Sequence, residues 1–256
     1  NYIAGVPTLF EALLRLPKTE KLDLSPLRGV FSGGDSMLPE LKARFDAFLA
    51  AHGAEIAVRE GYGLTECVTA CCLTPKTLAK DGSIGVPFRD TLFKIVGGEI
   101  CISGPTVMLG YDDDEEETKT ALRLHDDGKI WLHTGDLGEM DADGFVYFKG
   151  RIKRMIVSSG YSVYPYHVEN ILQKHALVRE CCVVGVPDDY RMQRVKAFIV
   201  LESGADAAAA PEELRRYSRE ALAPYNRPRE FEFVAELPKT LVGKIAYSKL
   251  QPKAEA

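Results

Sequence analysis

The hydrophobic pattern of this 256-residue chain changes character twice, and those changes limit its possible architectures more than any single motif does. Up to about residue 66 the pattern alternates between helical and extended stretches. Residues 5–16 carry apolar positions at helical spacing after Pro7, and "LRGVFSGGD" is an apolar strand running into a glycine turn. "LPELKARFDAFLAAH", residues 38–52, reads as an amphipathic helix with Pro39 in its first turn and Gly53 after its end. "AEIAVREGYGLTE" is a short strand followed by a glycine-bracketed loop. Helix, strand, helix, strand is the order of an α/β layer. From about 92 to 149, "LFKIVGGEICI", "LHDDGKIWLHTGD" and "LGEMDADGFVYF" each place a Gly-Gly or Asp-Gly turn between two runs, the signal of hairpins and of a small β subdomain. After Lys149 the order becomes β-α-β-β-α-β: the hairpin-like "RMIVSSGYSVY", helices over 165–175 and 211–222, strands "CCVVGV" and "VKAFIVL", and the alternating "EFEFVAEL". Roughly 100 residues in that order predict a compact α+β domain, with a boundary near Gly150 to Arg154.

Composition narrows the classes of function. A net charge of −5 gives no general affinity for nucleic acid or anionic membrane, and no apolar run approaches the length of a membrane span. No signal peptide opens the sequence, and the first residue is Asn1 rather than Met, so the chain reads as part of a longer cytoplasmic protein. Of the six cysteines, Cys67, Cys71 and Cys72 with His133 offer a zinc set, but vicinal pairs without a CxxC read instead as small buried thiols in a reducing compartment.

Four stretches have the chemistry of a ligand site, and each also has a plain reading as a turn or a surface ion pair. "SGGD", Ser32 to Asp35, places a glycine turn at the end of a strand, where a ligand can approach the backbone. "GYGLTE", Gly61 to Glu66, supplies the flat ring of Tyr62, a hydroxyl on Thr65 able to meet a phosphate oxygen, and a carboxylate on Glu66 able to hold Mg²⁺. In "WLHTGD", Asp136 can accept both hydroxyls of a ribose, and Arg151 of "GRIKR" can donate to the same sugar or to a phosphate. "LPKTLVGKIAY" puts Lys244, a compact ammonium on a long stem, behind a glycine on a turn. The acidic run "DDDEEE", by contrast, precedes a helix at about 115–122 and complements its dipole.

Taken in order, "SGGD", "GYGLTE", "GEICISGPTVMLGY", "WLHTGD", "GRIKRMIVSSGYSVYP" and "LPKTLVGKIAY" resemble the adenylate-forming superfamily over essentially the whole chain. That superfamily comprises acyl-CoA synthetases, nonribosomal-peptide adenylation domains and firefly-type luciferases. The resemblance implies an α/β fold: the end of a large α/β N-terminal domain (residues 1–152) with a small β-barrel-like subdomain at about 91–149. A mobile, compact α+β C-terminal domain (153–256) follows. It implies that Gly34 and Asp35 lie along an adenine, that Tyr62 and Gly63 pack against it, and that Thr65 contacts phosphates. Glu66 would hold Mg²⁺, and Asp136 and Arg151 would bind ribose. Lys153 would act as the hinge, Gly160 would flank the channel for coenzyme A, and Lys244 would act as the catalytic lysine.

The implied reaction joins a carboxylic acid, expected to be a fatty acid, to ATP, releasing pyrophosphate; coenzyme A then takes the acyl group. "SGYSVYP…VENIL" is similar to the acyl-CoA synthetase branch. A carrier protein as acceptor, and a non-catalytic nucleotide-binding remnant, are the alternatives. The family's Ser/Thr/Gly-rich phosphate loop is absent from these residues, so the chain by itself is expected to be a poor catalyst.

Overall fold

The structure, a computed structural model, describes residues 1–17, 22–241 and 243–252. The chain divides into two compact units, Asn1–Phe148 and Lys149–Ala256.

The first unit opens with strand β1 (Tyr2–Gly5), helix α1 (Pro7–Leu14), strand β2 (Gly29–Ser32), helix α2 (Pro39–Ala51) and strand β3 (Val58–Tyr62). Both helices begin on a proline, whose missing N–H costs nothing in a first turn. Strands β1, β2 and β3 run parallel, and the two-residue strands β4 (Cys72–Leu73) and β5 (Val86–Pro87) extend the sheet antiparallel. Strand β1 is absent from the sequence reading, because four residues are too few to establish a period. Phe10 of α1 and Leu41, Phe45 and Leu49 of α2 close over Val30 and Val58. Fully burying each such side chain contributes about 1.5–3 kcal/mol.

The β subdomain follows: β6 (Leu92–Val96), β7 (Glu99–Ser103), helix α3 (Glu115–Ala121), β8 (Leu122–Leu124), β9 (Ile130–Met140) and β10 (Val146–Arg151). Its barrel-like character takes the form of an open sheet in the order β10-β9-β7-β6, with β8 also on β9. The acidic run caps α3 as expected: Asp114 Oδ1 accepts from the Glu117 backbone N–H at 2.9 Å.

The second unit contains β11 (Ile156–Ser158), β12 (Tyr161–Val163), α4 (Pro165–Leu172), β13 (Val178–Asp188), β14 (Met192–Leu201), α5 (Ala210–Ala221) and β15 (Glu230–Phe233). The long antiparallel pair β13/β14 is its spine. Cys181, Val183, Val195 and Ala197 face Val168 and Leu172 of α4 and Leu214 of α5. Cys182, Val184, Val186 and Phe198 face the C-terminal segment through Leu237, Ile245 and Tyr247. Burial on both faces is why "CCVVGV" is apolar without alternation. Arg154 fastens the start of this unit: its guanidinium bonds the Glu169 carboxylate and the Val183 carbonyl and lies 4.8 Å from the centre of the Tyr247 ring.

Candidate functional site

"SGGD" and "GYGLTE" leave the C-terminal ends of two adjacent parallel strands, where ligands of open α/β sheets bind. Ser32 and Glu60 are partners in register, and a Cβ built on Gly33 would stand 3.2 Å from the Gly61 carbonyl oxygen. The two loops therefore touch through backbone, a proximity that glycine permits. Gly34 has φ +77°, and Asp35 is exposed, accepting from the Ser36 backbone N–H at 2.9 Å. The buried Ser32 Oγ has no hydrogen-bond partner among the described residues. The sequence reading does not single out that hydroxyl.

Gly63 has a packing requirement: an added Cβ would lie 1.7 Å from the Thr69 carbonyl oxygen. Thr65, exposed, opens a single turn of 3₁₀ helix, Thr65–Cys67, and Val68 and Thr69 then adopt φ +55° and +78°. Consecutive β-branched residues in the left-handed region are strained outliers, held there by the surrounding structure.

Tyr62 and Asp136, 74 residues apart in sequence, meet: the Tyr62 hydroxyl donates to Asp136 Oδ2 at 2.8 Å. Burial, with the adjoining Asp136 charge, pushes the phenol well above its ordinary range, so it stays a donor. The Tyr62 ring lies against Phe93 and Phe148. Asp136 is 2% exposed, so a ribose hydroxyl reaching it has to share the carboxylate with Tyr62. The turn presenting Asp136 is itself fixed. The Thr134 hydroxyl donates to the Ile100 carbonyl at 2.7 Å and accepts from the Asp136 N–H, while the Gly135 N–H donates to Glu99 Oε1 at 2.8 Å.

Glu66 Oε1 accepts from the Tyr111 hydroxyl at 2.9 Å. Partial burial and this carboxylate push the Tyr111 phenol up to about 12. Glu66 forms no ion pair with a described residue, and a carboxylate so placed fits a hard cation such as Mg²⁺. Tyr111 closes the quoted stretch "GEICISGPTVMLGY", but nothing local in sequence reveals its partner.

The remaining predicted residues belong to the second unit, with Arg151 at the end of β10 and Lys153 within the 3₁₀ turn Ile152–Arg154, both exposed. Gly160, φ +80°, forms the β11/β12 hairpin turn with open space around it. Lys244 is exposed on a tight loop. Thr240 N–H donates to the Lys244 carbonyl at 2.7 Å, Lys244 N–H to Thr240 Oγ1 at 3.1 Å, and Gly243 turns with φ +82°.

The zinc set weighed from sequence does not assemble among the described residues. Cys67, Cys71 and Cys72 are free, buried thiols in one apolar cluster, whereas His133 Nδ1 lies 2.7 Å from Glu99 and 3.6 Å from Cys101.

Glu60, immediately before "GYGLTE", is raised from its ordinary 4.5 to about 7, chiefly by burial, partly offset by Lys42. A raised acid favours the folded state while protonated. The penalty is therefore absent below the unfolded value, grows between 4.5 and about 7, and is constant above. Glu60→Gln is expected to leave stability nearly unchanged at pH 4 and raise it by about 2 kcal/mol at pH 8, measured by urea unfolding at both pH values.

Residues 1–112 match the family described as AMP-binding enzyme, and residues 167–244 match the AMP-binding enzyme C-terminal domain. The chain belongs to this adenylate-forming, AMP-binding enzyme family. It is 41% identical over 265 residues to a long-chain-fatty-acid–CoA ligase of Bacillus subtilis, covering 96% of this chain and 44% of that protein. It is 37% identical to a long-chain-fatty-acid–CoA ligase of Salmonella typhimurium, covering 98% and 45%. Among solved structures, the anthranilate CoA ligase AuaEII in complex with anthranoyl-AMP superposes with a TM-score of 0.82 at 31% identity, over 97% of this chain and 49% of that one. The chain thus spans about half the length of the relatives it matches.

Proposed function

We propose that the protein carrying this chain is a cytoplasmic, AMP-forming carboxylate–CoA ligase acting on fatty acids. The observation that carries this reading is the part-buried Tyr62–Asp136 bond beside the touching glycine loops Gly33 and Gly61. It is a rigid acceptor for a sugar at the strand ends, next to an ion-pair-free Glu66. The names of the bacterial relatives support the acyl class, and the anthranoyl-AMP complex of AuaEII supports adenylation as the first step.

In this reading Asp136 and Arg151 hold the ribose of ATP, Gly34, Asp35, Tyr62 and Gly63 border the adenine, and Thr65 donates to phosphate oxygens. Glu66 would hold Mg²⁺, which would supply positive charge at the phosphates. Lys244 places a second positive charge where the substrate carboxylate and the α-phosphate, both anions, approach each other. The acyl–adenylate bond forms as the bond to pyrophosphate breaks. The thiol of coenzyme A, passing Gly160, then attacks the acyl carbon and AMP leaves. Lys153 serves as the hinge about which the second unit turns between the two steps.

The test is ATP–pyrophosphate exchange by the full-length protein over a panel of fatty and aryl acids. Exchange is expected to require an acid and to be strongest with a long-chain fatty acid. Asp136→Asn is expected to raise KM for ATP about 10–100-fold, the loss of one charged hydrogen-bonding group. Acid-independent exchange, or an unchanged KM, overturns the assignment.

A further inference from the structure

β7 and β9 pair antiparallel with Cys101 opposite His133. Glu99 Oε2, Cys101 Sγ and His133 Nδ1 converge there, all within 4.8 Å of one another. Cys101 is fully buried, and the His133 and Glu99 side chains are 7% and 16% exposed. The far nitrogen of His133 is engaged as well, since its Nε2 lies 2.9 Å from His125 Nε2. In the ligase reading only Glu99 has a task, through its Oε1 on the Gly135 N–H; Cys101, His133 and His125 have none.

We propose that Glu99, Cys101 and His133 form a binding site for a thiophilic divalent cation of the Zn²⁺ class, with His125 orienting the His133 ring. The donor set is one oxygen, one sulfur and one nitrogen, which suits borderline and soft ions and disfavours Mg²⁺ and Ca²⁺. Metal–ligand distances of about 2.0–2.3 Å place tetrahedral donors roughly 3.3–3.8 Å apart. The Cys101–His133 spacing of 3.6 Å already matches, and the 2.7 Å Glu99–His133 hydrogen bond has to open slightly as its proton leaves.

Protons balance without burying charge. When the cation takes Nδ1, the His133 proton moves to Nε2 and donates to His125, whose own proton then sits on Nδ1. Both imidazoles stay neutral, and one proton, from Cys101, is released. Carboxylate and thiolate together neutralise the divalent ion. Burial and the nearby Glu99 charge hold the free thiol up at about 11, so the cation itself has to drive that proton off. Three protein ligands leave a fourth position open. Glu99 Oε1 also holds the Gly135 N–H, so an occupied site stiffens the turn carrying Asp136; that consequence rests on the ligase reading, whereas binding does not.

The test is titration of the reduced, chelator-treated full-length protein with Co²⁺, read by its thiolate-to-cobalt charge-transfer band and visible d–d bands. One equivalent showing both, displaced by Zn²⁺, is expected. The bands should vanish in Cys101→Ser, persist in Cys67→Ser and Cys182→Ser, and need about 10–100-fold more Co²⁺ in His125→Gln. Circular dichroism checks that each variant folds. Should Cys101→Ser not fold, X-ray absorption on the wild-type Co²⁺ complex decides, with one sulfur and the rest nitrogen or oxygen expected. No charge-transfer band, a band retained in folded Cys101→Ser, or a sulfur count above one overturns the proposal.

Discussion

Lys244→Ala is expected to lower acid-dependent ATP–pyrophosphate exchange by about 10²–10³-fold, the cost of removing one group that stabilises developing negative charge. Thiolysis of a supplied acyl-adenylate by coenzyme A should change only a few-fold, because in the proposed cycle the second unit has by then turned Lys244 away from the phosphate that leaves with AMP. The substitution is clean, since the Lys244 side chain is exposed and the loop is closed by its backbone. Ala246 N–H donates to the Pro238 carbonyl at 2.8 Å, and Lys239 and Ile245 form an isolated β-bridge. An alanine variant that folds normally yet loses both half-reactions equally, or neither, assigns the lysine wrongly. Stopped-flow measurement of each half-reaction on the full-length protein separates these outcomes.

The second large effect is on stability. Gly63→Ala is expected to cost about 3–5 kcal/mol, at the upper end for a point substitution. The new methyl would fall 1.7 Å from the Thr69 carbonyl oxygen and 2.7 Å from the Ala70 Cα. Those are backbone atoms, and the segment supplying them is already confined: Val68 and Thr69 are left-handed, and the Cys71 N–H is tied to the Tyr62 carbonyl at 2.9 Å. Either the loop moves, carrying Tyr62 and Thr65 with it, or the fold yields. Urea unfolding of the first unit's transition reads the effect. A midpoint within a few tenths of the wild type would mean that the loop has room the packing does not provide.

Much of the fold is legible locally because its punctuation is local. Pro7, Pro39 and Pro165 each open a helix, and the Gly97–Gly98, Asp127–Gly128 and Asp143–Gly144 turns each close a hairpin. The unalternated run at Cys181–Val186 declares burial on two faces. What escapes is whatever depends on register between distant segments. Strands β4 and β5 have two residues each and exist only because β3 offers an edge. The bonds from Tyr62 to Asp136 and from Glu66 to Tyr111 span 74 and 45 residues, and no periodicity encodes which side chains will face each other across that distance. His133 shows the limit well. It can be seen as a ligand type in sequence, but only the β7/β9 register decides that its companions are Glu99 and Cys101 rather than Cys67, Cys71 and Cys72.

The two-sided burial of the β13/β14 hairpin has one more consequence. Its even-numbered face grips Leu237 on one side of the Lys244 loop and Ile245 and Tyr247 on the other. Both feet of the loop are thereby packed against the β13/β14 hairpin. In the proposed cycle the ammonium would move with the second unit, its aim depending on hydrophobic volume at Cys182 and Val184, beside the Arg154–Glu169 ion pair.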